Sequence, residues 1–599
     1  MAIRIPKWLI VVIIAVLFGF IDRTYHLSER PFHHDEAIHS TLSLHWFNNP
    51  ETGYYKYDPV YHGTFLYASL RFIYEIFGVG VVQARLFPLI FGIGVWFLPL
   101  LFRRWLGNVA VAIAFLGLAV SPLFTFYSRF IVHDMPTIFF TFLGIYGLFR
   151  YFGTSADTSD HERRRWLYLM GASFGVLQAI KLVSFINFFV LGTFGLFWAL
   201  HTTRGKIAAL RKWHIDWIGL GLGLVVFLFV FSYINTAGFK ALSPIWDGLF
   251  GKNLEYWWGQ HKVERVKGPV AYHLYSMFLH ELPFLLIGTF ASLRAASRLK
   301  HGRTLMLLVT VVFAFTVPRV YWLRDYLNPS MVGLLDHFKV KQSIDIFLYV
   351  LCLVSGLGAT WTYLSEGKLQ RGFWCFWTFI SLAIFSFAGE KGPWLTPHVA
   401  FPFIIFASIC LADWCRRFFP SGAELQLKST AQKVIVGMGI LAMCYQARIA
   451  IWVNHITDGE PSDVLSQVHN SRDVTEVLDW MKRTSYQTGE KPDKMGVAVL
   501  GETTWAFYFY LLAGGYHNFK FDQASLNGQE MFVVADEGLF KTMEEPMKGK
   551  GYRVSKLVLN GWYTPEDFNP TWVHWFQYAW NRRAINTGTR PMFVFYRTP

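Results

Sequence analysis

The chain has 599 residues, of which 53% are hydrophobic and 16% charged, against roughly 25% charge in an average soluble domain. With a mean hydropathy of +0.31, this composition excludes an ordinary soluble protein and makes a lipid bilayer the solvent for most of the chain. The net charge of +15 is no nucleic-acid footprint: from Asn454 onward 15 Lys+Arg face 17 Asp+Glu, and the remaining 40 basic against 23 acidic groups sit mostly in short loops between apolar runs.

The first apolar run, 8–21, follows Arg4 and Lys7 and leads into Asp22 and Arg23 with no small-residue cleavage site. It reads as an uncleaved first helix. Further spans are expected at 81–102, 108–127, 131–152, 166–184, 185–200, 214–236, 271–294, 304–318, 343–364, 372–388, 398–415 and 431–453. Most approach the 17–25 residues a helix needs to cross the hydrocarbon. About thirteen transmembrane helices result. With a cytoplasmic N-terminus, the inner loops contain Arg103-Arg104, Arg163 to Arg165, Arg204 to Lys212, Arg298 to Arg303, Lys368 to Arg371 and Arg416 to Lys433. Every one is basic, as the positive-inside rule requires. The expected setting is therefore the cytoplasmic membrane, with the C-terminal part outside.

The outer segments are 22–80, 237–270 and 319–342. Two stretches of the first outer loop read as surface helices, and in the second Leu66, Leu70, Ile73 and Phe77 form one apolar stripe. Residues 1–453 form the membrane module. Residues 454–599 read as an extracytoplasmic α/β domain. A helix at 471–483 has acidic residues early and basic ones late, and strands are expected at 495–501, 531–536, 554–560 and 592–597. The five cysteines all lie in or at the ends of apolar segments, so no disulfide staple of the outer parts is expected.

Ionisable groups near membrane depth are costly and usually functional, and here they gather at one face. "FHHDEAIHS" (32–40) puts Asp35 and Glu36 just after the first helix. "YSRFIVHDMPTIFF" (127–140) puts Arg129, His133 and Asp134 at the outer junction of the third and fourth spans. Lys181 falls inside an apolar span near its outer end. "GEKGPWLTPH" (389–398) puts Glu390, Lys391, Trp394 and His398 at the outer mouth of the eleventh and twelfth.

This set suits transfer of a sugar from a polyprenyl-phosphate carrier. A carboxylate must take the proton of a weakly nucleophilic hydroxyl, for which Asp35 is the candidate. Fixed cations must meet the departing phosphate, for which Lys181, Arg129 and Lys391 are candidates. His34, His62, His133, Glu390, Trp394 and His398 are candidate substrate contacts. Asp35 and Asp134 together could hold Mg²⁺ or Mn²⁺. The structural alternatives are concrete: Asp35 and Glu36 favouring a helix dipole, Asp134 bridged to Arg129, Lys181 snorkelling, and Trp394 anchoring at the interface. The spacing of His33, His34, His39 and His62 fits no established zinc pattern.

With these motifs the chain resembles the GT-C superfamily of polyprenyl-phosphate-sugar-dependent glycosyltransferases. That group includes the protein O-mannosyltransferases and the lipid A aminoarabinose transferase. More narrowly, "HHDEAIHS", "YDPVYHGTFLY" (57–67) and "GEKGPWLTPH" resemble the prokaryotic family named flippase-activity-associated in N-glycosylation clusters. The resemblance implies a membrane module followed by an exported domain, and transfer with inversion. It implies that Asp35 is the catalytic acid of the first loop, with Glu36 beside it, Asp134 the acid of the second, and Lys181 the lysine near the lipid phosphate. The acceptor could be a protein, a glycolipid or a glycan. A lipid-linked-sugar flippase and a non-catalytic relative are the competing readings; the lack of an internal repeat speaks against a transporter.

Overall fold

The computed structural model describes residues 7–153, 158–204, 216–260, 270–304, 343–418, 429–457, 463–562 and 588–597, together with 307, 578, 580 and 582. The expected span at 304–318, but for residues 304 and 307, and the loop at 319–342 lie outside the described residues.

Six described helices are long and apolar enough to cross a membrane: Val81–Leu101, Asp134–Phe152, Val183–Thr203, Trp217–Asn235, and helical segments over Pro393–Arg417 and Thr430–Ile456. Other expected spans are present as helices, including Lys7–Thr24, Asp160–Gln178, Ser343–Ser365 and Leu369–Phe387. Two are broken. The expected span 108–127 ends at Ala119 and restarts as Pro122–Tyr127, because Ser121 caps the new helix through the N–H of Phe124 and Pro122 sits in its first turn. The span 271–294 divides into Tyr272–His280 and Leu282–Ala296, with a proline in the first turn of the second. The expected boundary between 166–184 and 185–200 becomes a four-residue turn, 179–182, between Asp160–Gln178 and Val183–Thr203.

The helix starting at Thr396 is the central one: 94% of its most apolar window is buried inside the protein. Phe401 and Phe406 from it pack with Phe142, Trp374 and Phe379 of its neighbours. Such aromatic packing supplies cohesion that apolar burial alone does not provide between helices already in lipid.

The segment 22–80 carries the two expected helices, His34–Asn48 and Phe65–Phe77. Most of the stripe on the second packs against the protein: Leu66, Leu70 and Ile73 are buried against Trp46 and Phe87. Phe77, with Phe72 and Ile76, is exposed.

The C-terminal part forms a six-stranded sheet, β1 (His469–Asn470), β2 (Val497–Leu500), β3 (Phe519–Lys520), β4 (Phe532–Asp536), β5 (Arg553–Trp562) and β6 (Gly588–Tyr596), in the order β1-β5-β6-β4-β2-β3. Its pairs β2/β3 and β2/β4 are parallel and the others antiparallel. Buried residues on both faces, Val497 and Val499 on one and Ala498 and Leu500 on the other, account for the continuous apolar runs of β2 and β4. The sheet domain is tied to the first loop. The Phe32 N–H donates to the Tyr510 hydroxyl at 2.8 Å, and Asn470 Nδ2 donates to the Phe32 carbonyl at 2.7 Å.

Candidate active site

The helix His34–Asn48 begins with a reciprocal cap. His33 Nδ1 accepts from the Asp35 N–H at 3.0 Å, and Glu36 Oε2 accepts from the His33 N–H at 2.9 Å. Consecutive residues on a helix diverge by about 100°. Asp35 and Glu36 therefore part company. Asp35 opens into a cavity, with 41% of its side chain exposed. Glu36 turns inward and is fully buried. Its oxygens accept from Arg85 Nε at 3.1 Å, a terminal nitrogen of Arg85 at 3.0 Å and the Ile131 N–H at 3.1 Å, with Arg30 at 3.5 Å. Burial pushes the Glu36 carboxyl up, but Arg85 and then Arg30 pull it down harder, to about 2.

Asp134 starts the helix Asp134–Phe152 and is fully buried. Lys181 Nζ lies 3.1 and 3.2 Å from its two oxygens, and His398 Nε2 lies 2.8 Å from Oδ1. Three segments distant in sequence thus meet at one carboxylate. Lys181 is not inside a span: it belongs to the 179–182 turn, whose backbone is held by the first loop. The Ile180 and Ala179 carbonyls accept from the N–H groups of Gly63, at 2.9 Å, and Phe65, at 3.1 Å. A Cβ on Gly63 would stand 2.0 Å from the Ala179 oxygen, so only glycine permits this approach.

A cavity of about 550 Å³ opens over these groups. Its polar wall comprises His34, Asp35, His39, Tyr61, His62, His133, Asp134, Lys181 and Glu390. Its apolar wall comprises Leu182, Val183, Ile186, Ile384, Phe385 and Phe387, with Trp394 and Leu395. Within it His133 stands between His39 and His62, each ring edge-on at 4.9 Å. The Tyr67 hydroxyl donates to the Tyr61 carbonyl at 2.7 Å and lies 2.9 Å from His39 Nδ1. His39 Nδ1 is thereby the donor, and its Nε2 is left as an acceptor. His133 is 1% exposed, and neither of its ring nitrogens has a hydrogen-bond partner among the described residues. Burial pushes His39 down to about 4 and His62 down to about 3, so both rings are neutral at pH 7. For Asp35 burial acts upward and the neighbouring imidazoles, His33 first, act downward; the balance lies below the ordinary carboxylate range.

Four predicted residues stand apart from the cavity lining. Glu36 is the inward anchor described above. Arg129 holds the end of the first helix, donating to the carbonyls of Asp22 at 2.9 Å, Tyr25 at 2.6 Å and His26 at 3.2 Å. It makes no bridge to Asp134. Lys391 donates to the carbonyls of Ser386 and Ala388 at the end of the helix Leu369–Phe387. His398 does not line the cavity and acts through Asp134. The divalent metal expected between Asp35 and Asp134 gains no support from this geometry. Lys181 and His398 occupy the Asp134 oxygens, and no group of three or more His, Cys, Asp or Glu suited to a metal occurs among the described residues.

Among the lining residues that sequence reasoning did not single out are His39, Tyr61, Tyr256 and Trp505. His39 is four residues from Asp35, on the same helix face, so its place was legible. Tyr256 and Trp505 come from distant segments with no local signal.

Residues 59–243 match the family model described as dolichyl-phosphate-mannose-protein mannosyltransferase. The match bears out the resemblance to the protein O-mannosyltransferases. It spans about a third of the chain and includes His62, His133, Asp134 and Lys181. Among solved structures, the chain is similar to ArnT from Cupriavidus metallidurans in the apo state, at 17% identity over 98% of this chain and 97% of that one, with a TM-score of 0.46. ArnT bound to undecaprenyl phosphate gives 16% identity, the same coverages and a TM-score of 0.47. The archaeal oligosaccharyltransferase AglB from Archaeoglobus fulgidus, in complex with an inhibitory peptide and a dolichol-phosphate, gives 14% identity over 90% of this chain and 70% of that one, with a TM-score of 0.48. No curated protein matches the chain.

Proposed function

We propose that this protein is a membrane glycosyltransferase that moves a sugar from a polyprenyl-phosphate carrier to an acceptor hydroxyl, with inversion. The observation that carries this reading is one cavity in which a half-exposed carboxylate, a buried cation and an apolar wall converge. The apolar wall suits an isoprenoid chain. Lys181, above it, suits the phosphate. The matched family is named for a polyprenyl-phosphate-linked mannose donor.

The chemistry divides among the residues as follows. Asp35 takes the proton of the acceptor hydroxyl as its oxygen bonds to the anomeric carbon, on the face opposite the phosphate. The bond from that carbon to the phosphate oxygen breaks, and its electron pair stays on the phosphate. Lys181 stabilises the charge that develops there. Asp134 and His398 are positioning residues that fix Lys181. The neutral rings of His39, His62 and His133 offer donors and acceptors to sugar hydroxyls. No step is assigned to a metal.

In the same proposal the N-terminus is cytoplasmic, about thirteen spans cross the cytoplasmic membrane, and the cavity and the 454–599 domain face outward. The acceptor is a protein, a glycolipid or a glycan. Purified protein, given a radiolabelled polyprenyl-phosphate sugar and a cell-envelope extract, is expected to move label to an acceptor. Asp35→Asn is expected to abolish transfer with carrier binding retained. Full transfer by that variant refutes the base assignment, and label crossing vesicle membranes without product formation refutes the enzyme in favour of a flippase.

A further inference from the structure

The membrane helices and the first loop leave one side of the cavity to the sheet domain. Trp505 fills it: it stands in the first turn of the helix Thr503–Ala513, lines the cavity with Asp35, and is partly exposed. One turn further along the same helix, the Tyr508 ring lies 6.1 Å from Trp505 and 4.5 Å from Phe521. The aromatic run thus leads from the cavity out over the sheet domain, where Phe521 is 36% exposed. At its start the solvent-exposed ion pair Glu502–Arg590 supplies charged hydrogen-bonding groups, with Arg590 stacked on Trp562 at 5.3 Å.

Resting on the reading of the cavity as a transferase site, we propose that Trp505 is an acceptor-binding residue and that the acceptor is a saccharide chain. The run is made of rings, not of aliphatic side chains, and it lies on the sheet domain, not on a helix able to cross a membrane. A lipid tail would gain from the opposite arrangement. Sugar rings present flat apolar faces edged with hydroxyls. Trp and Tyr offer an apolar face with a polar handle, and the flanking Glu502 and Arg590 can accept from and donate to hydroxyls. The terminal sugar would stack on Trp505 with its hydroxyl toward Asp35, and the preceding sugars would follow the run outward. This gives the sheet domain a part in the active site itself.

Two measurements on the full-length protein in detergent test this. The first is retention of fluorescently labelled, delipidated and protease-treated envelope glycan fragments by the immobilised protein. Trp505→Ala is expected to lower retention at least tenfold, and Trp505→Phe to recover most of it. Retention equal to wild type in Trp505→Ala, or none by wild type, overturns the proposal, whether or not transfer occurs. The second is transfer. Trp505→Ala is expected to raise the acceptor concentration for half-maximal rate tenfold or more, leaving the donor concentration for half-maximal rate unchanged. Label appearing only in protease-sensitive or solvent-extractable product assigns the acceptor to protein or lipid and overturns the saccharide assignment. Absence of all transfer by wild type refutes the transferase reading and leaves the retention result to decide whether Trp505 binds glycan.

Discussion

Replacing Lys181 by methionine separates the structural from the chemical part of the buried ion pair. In the wild type Nζ sits 3.1 and 3.2 Å from the oxygens of a fully buried Asp134. Lys181→Met keeps most of the side-chain volume and removes the charge, leaving Asp134 with His398 alone at 2.8 Å. Breaking a buried pair on one side costs about 3–5 kcal/mol. The His398 contact and the open cavity beside the pair place the expected loss near the lower end, about 3 kcal/mol. The catalytic loss has a different source. A preorganised donor to developing charge contributes about 10²–10³ in turnover, so Lys181→Met is expected to slow transfer by that factor. The double variant Lys181→Met/Asp134→Asn removes the orphaned charge as well, and is expected to recover most of the stability and none of the activity. Thermal unfolding in detergent reads the first quantity. Initial rates with a radiolabelled polyprenyl-phosphate sugar read the second. Wild-type turnover in Lys181→Met, or recovery of turnover in the double variant, would show that the cation does not meet the phosphate.

The same geometry predicts other outcomes. Gly63→Ala drives a methyl group to within 2.0 Å of the Ala179 carbonyl; the loop must lift off the Lys181 turn, at a cost of about 1–3 kcal/mol, and the unfolding temperature and transfer rate are expected to fall together. Acid should destabilise the protein in two stages. His39 is lowered from 6.5 to about 4 and His62 to about 3; the unfolded chain then binds more protons below pH 6.5, so their stabilising contribution is full above that pH and declines as pH falls toward 4 and 3. Glu36, lowered from 4.5 to about 2, contributes about 3 kcal/mol above pH 4.5, which is lost as pH falls through 2. Unfolding temperatures from pH 8 to 4 check the first stage, and a His39→Gln variant with an unchanged slope would refute its assignment. Chelation with EDTA is expected to leave transfer within twofold of the untreated rate; loss restored by Mn²⁺ would show that a metal, not Lys181 alone, serves the phosphate.

Much of the site was legible in the sequence because membrane burial makes ionisable residues scarce. Asp35, Asp134 and Lys181 stand out in an apolar background, and all three line one cavity. Four strands of the sheet domain were legible as well, β2 and β4 as continuous apolar runs and β5 and β6 from their apolar stretches, whereas the two-residue β1 and β3 carry no such run. Less legible was which polar residue faces which way. Arg129 and Lys391 carry the charge a phosphate site needs, yet both are spent on carbonyls at helix ends, where cations compensate unpaired oxygens. That use depends on where a helix stops, and helix ends are the least certain part of a sequence reading. Lys181 shows the same effect: the break at Ala179 turns a residue expected within a span into the apex of a turn. Trp505 had no local signal at all, since its role depends on how the sheet domain docks.

The fate of the two neighbouring acids in "HHDEAIH" follows from helix phase and from where the cations sit. Arg85 and Arg30 are themselves buried, and carbonyls alone would leave their charge uncompensated. Glu36 supplies that compensation, and its second oxygen also closes the helix cap at His33. A carboxylate so engaged is a poor proton acceptor, because every lone pair that faces a donor must be released before a proton can enter. Asp35, turned by one helical step, has among the described residues no basic side-chain nitrogen nearer than His33 Nδ1 at 3.7 Å and opens to the cavity. One acid is thus free to accept a proton because the other holds the helix start in place. Glu36→Gln should therefore lower activity by misplacing Asp35 and not by removing a base. The expected signature is a loss of about 3–5 kcal/mol in stability, with the acid limb of the rate–pH profile unmoved. Asp35→Glu, by contrast, keeps the cap and moves that limb.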